Sequence, residues 1–341
     1  MKISSIQSET FVTFELLKAC QRGAAISFTL AFAASALAQG SGSFPTQPIK
    51  MVVGFPAGGP TDVSARLIAD SLSRSMGQPV VVDNRPGANA TIAAEAVARA
   101  KPDGYTILMA ATNHTINAAL YKNLRFDSEK SFAPITAVAV APTVLVVSQK
   151  FPAKTYADFL ALVKSKPEKF SYASAGSGGT PHLSGEMFKQ LTQTSMVHIP
   201  YKGAAPAVTD LIGGQVDMMF ATLGSVLPQI QAGQLRVLAV AAPQRSRLLP
   251  DVPTFEESGL KSFRLDSWYG LMAPAGTPKP VIDRLHAEIV KAVSSAAYKE
   301  KLNAAGLEPV TDSNPQAFTA QIQNEISTFT GLVRSNNVSV D

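Results

Sequence analysis

Cysteine is all but missing: the 341 residues hold one, Cys20. A disulfide framework and a thiolate metal cage are both excluded. The four histidines, His114, His182, His198 and His286, do not fill the gap. They share neither an H-x-x-x-H nor an H-E-x-x-H spacing, so no metal and no cofactor is expected. Charge is scarce as well. Asp, Glu, Lys and Arg make up 16% of the chain, against roughly 25% in a typical soluble protein. No run of five like charges occurs, and the net charge of +5 is spread along the chain. Without a basic stripe, no nucleic-acid partner is expected. Long apolar runs are also lacking. None reaches the length needed to span a bilayer. Phosphate-cradling motifs are missing too: no G-x-x-x-x-G-K-[ST] follows a strand, and "GSGGTP" lacks the third glycine of G-x-G-x-x-G.

What is there begins with Lys18 and Arg22, which precede the short apolar run "AAISFTLAFAASA" (Ala24 to Ala36) and the small-residue triplet Ala36-Leu37-Ala38. A basic flank, a short apolar stretch and small residues two apart form the pattern of a cleaved export signal. Residues 1–38 are expected to be removed near Ala38, sending the protein to the periplasm. The alternative is an apolar helix of the mature protein. Cys20 lies before the cut, so core packing alone must hold the exported chain, and 46% hydrophobic residues can furnish it.

From Ile49 onward, β-branched apolar runs alternate with segments of helical period. Strands are expected at "IKMVVGF", "PVVVDN", "YTILMAA", "TVLVVSQ", "FSYASA", "MVHIPY", "VDMMFAT", "LRVLAVAA" and "SWYGLMAP". Helices are expected over 62–76, 91–100, 155–165, 182–191, 206–212, 225–232 and 278–295. Such alternation gives the α/β class with parallel sheets covered on both faces.

Two joins between strand and helix share a design. In "GFPAGGPTD" (Gly54 to Asp62) and "SAGSGGTPHLSGEMF" (Ser174 to Phe188) a strand ends, paired glycines turn the chain, and a proline marks the helix start. Proline suits the first helical turn because its missing N–H has no partner there. Bare glycine backbone lets a guest approach, and the unpaired N–H groups attract an anion. Each join is therefore a candidate carboxylate cradle, one per half of the chain.

The stretches "IKMVVGFPAGGPTDVSARLIADSLSRSMGQPVVVDNRPGA", "ARAKPDGYTILMA", "FSYASAGSGGTPHLSGEMF", "VHIPYKGAAPAVTDLIGGQVDMMF" and "WYGLMAPAGTPKPVIDRL" resemble the periplasmic receptors of the tripartite tricarboxylate transporter family. The resemblance runs from about Pro45 to the end. It implies a two-lobed type II periplasmic-binding-protein fold with a ligand cleft between the lobes. One lobe would be residues 44–143 plus 267–341, the other 144–266. It implies a monomeric, non-enzymatic receptor that hands a small di-, tri- or aromatic carboxylate to membrane permease subunits. Carried over residue by residue, the ligand-binding positions are Phe55, Ala57, Gly58, Gly59, Thr61, Asn113, Ser177, Gly178, Thr180, His182, Tyr201 and Thr222. Many relatives carry an aspartate where Ala221 stands, able to meet a ligand ammonium. Its absence argues against an amino-acid ligand.

Other readings stay open. Ser177, flanked by glycines with His182 nearby, suggests a serine esterase, although "AGSGGT" is not the G-x-S-x-G elbow. His198 reads as a strand residue facing a helix. Trp268, Tyr269, Phe55 and Tyr201 either pack the hinge or wall the cleft, and two of them in the cleft would favour a planar ligand.

Overall fold

The computed structural model describes residues 44–335 except Ser262 and Arg264. The export-signal segment 1–38 and Cys20 lie outside the described residues. The chain divides into a unit ending at Thr46 and a second from Gln47 on, and the second contains everything below.

Two separate sheets organise it. The first has six strands in the order β11-β4-β10-β3-β1-β2. They are β1 (Ile49–Val53), β2 (Val80–Asn84), β3 (Thr106–Ala111), β4 (Phe132–Ala141), β10 (Ser267–Pro274) and β11 (Glu308–Pro309). The second has five, β7-β6-β8-β5-β9. These are β5 (Thr143–Ser148), β6 (Ser171–Ser174), β7 (Val197–Pro200), β8 (Met218–Thr222) and β9 (Leu235–Ala241). The helices are α1 (Pro60–Met76), α2 (Thr91–Ala98), α3 (Asn113–Leu120), α4 (Tyr156–Ser165), α5 (Thr180–Thr192), α6 (Ala204–Gly213), α7 (Leu223–Gln231), α8 (Lys279–Ser294), α9 (Ala296–Ala304) and α10 (Pro315–Ser335).

The expectation of parallel sheets needs correction, because both sheets are mixed. β1 pairs in parallel with β2 and β3, and β6 with β7 and β8. The strands next to the crossings run antiparallel: β10 against β3 and β4, β5 against β8 and β9. The cause is the crossover itself. A chain that leaves the first sheet at Ala141 and re-enters beside it at Ser267 must run back along β4, antiparallel to it. Strand β4 was not expected, since the sequence reading places a strand only at "TVLVVSQ", on the far side of Pro142, where β5 begins.

Each sheet has its own core. Alternate residues of β8 show how: Met218 and Phe220 join the aromatic cluster around Phe159, Phe188 and Phe255. Met219 and Ala221 face the opposite layer with Val144, Leu211 and Leu223. In the first sheet Trp268 is buried edge-on against Phe318, ring centres 5.0 Å apart. Its indole N–H donates to Glu325 Oε2 at 2.6 Å. Trp268 thus packs the return strand and does not wall a cleft. Gly270, two residues on, is where the α10 ring crosses. A Cβ there would stand 2.7 Å from Phe318 Cε1 and 3.1 Å from the Thr136 carbonyl. Gly270→Ala is expected to cost about 2 kcal/mol by overpacking, read as a lowered urea midpoint.

Candidate functional site

The two glycine joins fold into near copies of one another. Gly58 and Gly178 take left-handed backbone at φ 86 and 76, which favours glycine. The next residue in each, Gly59 or Gly179, is the helix N-cap, at φ −79, ψ 169 and φ −89, ψ 170. A proline stands in the first turn of both helices, Pro60 in α1 and Pro181 in α5. The helices also share a side-chain device four residues past the left-handed glycine. Asp62 Oδ2 accepts the Gly58 N–H at 2.9 Å, and His182 Nδ1 accepts the Gly178 N–H at 3.0 Å.

These devices are supported from behind. Burial works against the charge on Asp62, but hydrogen bonds from Arg66, Gly58 and Asn84 outweigh it and hold the carboxyl below its usual range. Asn84 also donates to the Phe55 carbonyl at 3.0 Å, tying the loop to β2. His182 stacks on His198 with ring centres 3.8 Å apart, and His198 Nε2 lies 2.7 Å from Ser174 Oγ. Ser174 Oγ donates to the Gly176 carbonyl, so the proton between serine and imidazole sits on His198 Nε2. Burial pushes both imidazoles down, His198 to about 3, with the neighbouring His182 and Lys189 adding to the effect there. His198 is thus a strand residue facing a helix, as expected.

Between the loops lies a cavity of about 480 Å³, within the range of small-molecule sites. Of the residues expected at a ligand site, Phe55, Ala57, Gly59, Thr61, Asn113, Ser177, Thr180 and Thr222 line it. Gly58, Gly178, His182 and Tyr201 do not. The reason is geometric: inside the turns the Gly58 N–H is spent on Asp62 and the Gly178 N–H on the His182 ring. Tyr201 turns away to donate to Asp210 at 2.7 Å. Ala221 also needs correcting, since it faces the core of the second sheet and the next residue, Thr222, reaches the cavity. Tyr269 lines the wall with Phe55, giving two aromatic faces.

Sequence reasoning missed Asn89, Thr112, Ser225 and Ser267 as lining residues. A common factor links Thr112 to others on the wall. The N-caps of α1, α3, α5, α6 and α7 are Gly59, Thr112, Gly179, Gly203 and Thr222. All five line the one cavity. In α1 and α5 the first N–H to find a backbone carbonyl is that of Val63 or Leu183. Earlier amides have no partner within the helix. Each helix start carries roughly half a positive charge. Yet among the described residues, none of those lining the cavity has a charged side chain. The site is an anion trap made of peptide dipoles, hydroxyls and amides. No group of metal-ligating side chains occurs among the described residues.

Ser177 lies on the wall, but His182 is no base for it, because the ring nitrogen nearest that loop already accepts from Gly178.

A family model described as "Tripartite tricarboxylate transporter family receptor" matches residues 64–338. A UPF0065 protein in the tcbD-tcbE intergenic region of Pseudomonas sp. strain P51 is 39% identical over 80% of this chain and 82% of its own length. Protein BugT of Bordetella pertussis is 35% identical over 93% and 98%. Among solved structures, the periplasmic binding protein BugD is 38% identical with a TM-score of 0.76, covering 87% of this chain and 99% of that one. An R. palustris protein solved with adipate shares 33% identity at a TM-score of 0.78, covering 87% and 99%. MatC from Rhodopseudomonas palustris, with bound malate, shares 32% at 0.74, covering 85% and 100%.

Proposed function

The chain belongs to the tripartite tricarboxylate transporter receptor family, whose members are periplasmic solute-binding proteins, and on that premise we propose that it captures a small organic carboxylate and passes it to the membrane subunits of a tripartite transporter. The observation that carries the reading is the convergence of five helix starts on one cavity without a charged side chain. Oriented N–H groups meet a carboxylate and release it again without chemistry, which suits a carrier and not a catalyst. The relatives solved with adipate and malate support a dicarboxylate. Phe55 and Tyr269 leave room for an aromatic acid as well.

The lobes in this reading are residues 44–143 with 267–341, and 144–266, each built on one of the two sheets. The helix starts from the first, α1 and α3, face those from the second, α5, α6 and α7. Hinge closure about the crossings would complete the site around a guest. The protein works in the periplasm as a monomer, without a cofactor.

A thermal-shift screen of the chain from Gln39 onward tests this. A ligand at 100 times its dissociation constant adds about 2.7 kcal/mol, a rise of roughly 4 °C for a protein of this size. Succinate, malate, adipate, citrate, benzoate and nicotinate form the panel, with aspartate and glutamate as contrasts. Stabilisation by a panel acid and by neither amino acid is expected. Stabilisation by the amino acids alone would overturn the carboxylate reading.

A further inference from the structure

After β2 the chain makes a turn that local sequence does not favour. Ala88, Asn89 and Ala90 are three successive non-glycine residues with φ of 44, 51 and 71. Side chains resist this region, so something outside the turn must hold it. The turn is pressed against the start of the first glycine join, where a Cβ on Gly54 would stand 2.8 Å from Ala90 Cα. It is also tied to α3 by three amide side chains. Asn117 Nδ2 donates to the Asn89 backbone carbonyl at 2.8 Å, Asn89 Nδ2 to Asn117 Oδ1 at 2.8 Å, and Asn113 Nδ2 to Asn89 Oδ1 at 2.5 Å.

The order of these bonds is forced. A backbone carbonyl only accepts, so the end of the Asn117 amide that meets it is the NH2. Its other end is then an oxygen, which obliges Asn89 to present its own NH2 there. Asn89 is left with an oxygen toward Asn113, and Asn113 must answer with its NH2. The relay ends at Asn113 Oδ1, which has no protein donor among the described residues. Asn89 and Asn113 both line the cavity.

We infer that the Asn89–Asn113 pair is a specificity element, presenting one acceptor of fixed orientation in a cavity whose other polar side chains are mostly hydroxyls that can turn to donate, and that it selects carboxylates bearing a hydroxyl. An ionised carboxylate has only lone pairs to offer Asn113 Oδ1 and is repelled there. A hydroxyl next to the carboxylate donates to it. Without Asn89 the Asn113 amide turns over freely and the choice is lost. This inference rests on the carboxylate-receptor reading.

Calorimetry on three matched pairs tests it: malate against succinate, 2-hydroxyglutarate against glutarate, and mandelate against phenylacetate. The wild-type protein is expected to bind the hydroxylated member of a pair about tenfold more tightly, the worth of one well-placed hydrogen bond. Asn89→Gly should reduce that ratio to about twofold or less while the melting temperature holds or rises, since glycine accepts the left-handed turn without strain. Asn113→Ala should reduce the ratio in the same way. A wild-type ratio near one, or an unchanged ratio in Asn89→Gly, would overturn the inference while leaving the receptor reading intact. Failure of the wild-type protein to bind any of the six acids would overturn the inference, and the receptor reading falls with it only if the thermal-shift panel also gives no stabilising acid.

Discussion

Gly59→Val and Gly179→Val are each expected to lower carboxylate affinity at least about 100-fold, some 2.7 kcal/mol, with little change in melting temperature. Neither glycine is required by its backbone, since φ is −79 at one and −89 at the other. Neither is required by packing, because a Cβ would find its nearest neighbours at 3.8 Å and 3.7 Å. A residue free to be larger on both counts is glycine for the sake of whatever fills the space beside it. Both border the cavity, where a valine would stand in the path of a carboxylate approaching the helix amides. Gly58 and Gly178 behave differently. Their left-handed backbone makes valine there costly to the loop itself, about 1–2 kcal/mol, and they do not line the cavity. Calorimetry and thermal melts on all four variants separate the two kinds of glycine.

That contrast marks what the sequence could and could not reveal. Glycine and proline are local signals, so both joins, the helices they start and the α/β class were legible. Eight of the expected ligand residues do reach the cavity. The use made of His182 was hidden, because its acceptor role depends on a turn that brings residue 178 back over the helix. The shared offset from Gly58 to Asp62 and from Gly178 to His182 was the available clue. Helix α3 escaped notice because "NHTINAAL" has weak helix formers and no clear apolar period. It is held by tertiary contacts, with Ile116 packed against Phe329 and Leu332 of α10. Helix α10 was missed as well, its threonines and glutamines diluting a stripe that Phe318, Ile322 and Phe329 complete.

Acid is expected to weaken both the fold and the grip on ligand. Of the histidines, His114 and His182 are buried and His198 is half-buried. Burial holds the His114 pKa down at about 4, against an ordinary 6.5, although its ring donates to the Ser128 carbonyl. His182 and His198 are lowered for the same main reason. In the unfolded chain these rings take up protons near 6.5. Between that value and the folded one, the unfolded state binds more protons, so stability falls as pH falls. The contribution is complete above about 6.5, and His114 alone accounts for a loss of about 3 kcal/mol by the time the pH passes below 4. Urea midpoints should drop steadily from pH 7 to 4.5.

The binding site carries its own acid sensitivity. A protonated His182 Nδ1 cannot accept the Gly178 N–H, and the turn that presents Gly179 and Thr180 to the cavity loosens. Burial and Lys189 resist this protonation, while Glu186 promotes it by favouring the charged ring. Affinity for a panel acid should weaken as pH falls below the ordinary imidazole range, by up to one hydrogen bond's worth once the ring is charged. His182→Asn places an oxygen acceptor where Nδ1 stands and does not titrate, so its affinity should change less over the same range. Equal pH dependence in the two proteins would remove His182 from the account of the loop.

The central claim is that helix starts and not charged side chains hold the anion, and a crystal structure of the protein with a carboxylate from the panel tests it most directly. The account predicts carboxylate oxygens within hydrogen-bond distance of the α1 and α5 first-turn amides, directly or through one water, with no arginine or lysine in contact. A carboxylate paired with a basic side chain, or bound away from Gly59 and Gly179, would contradict it.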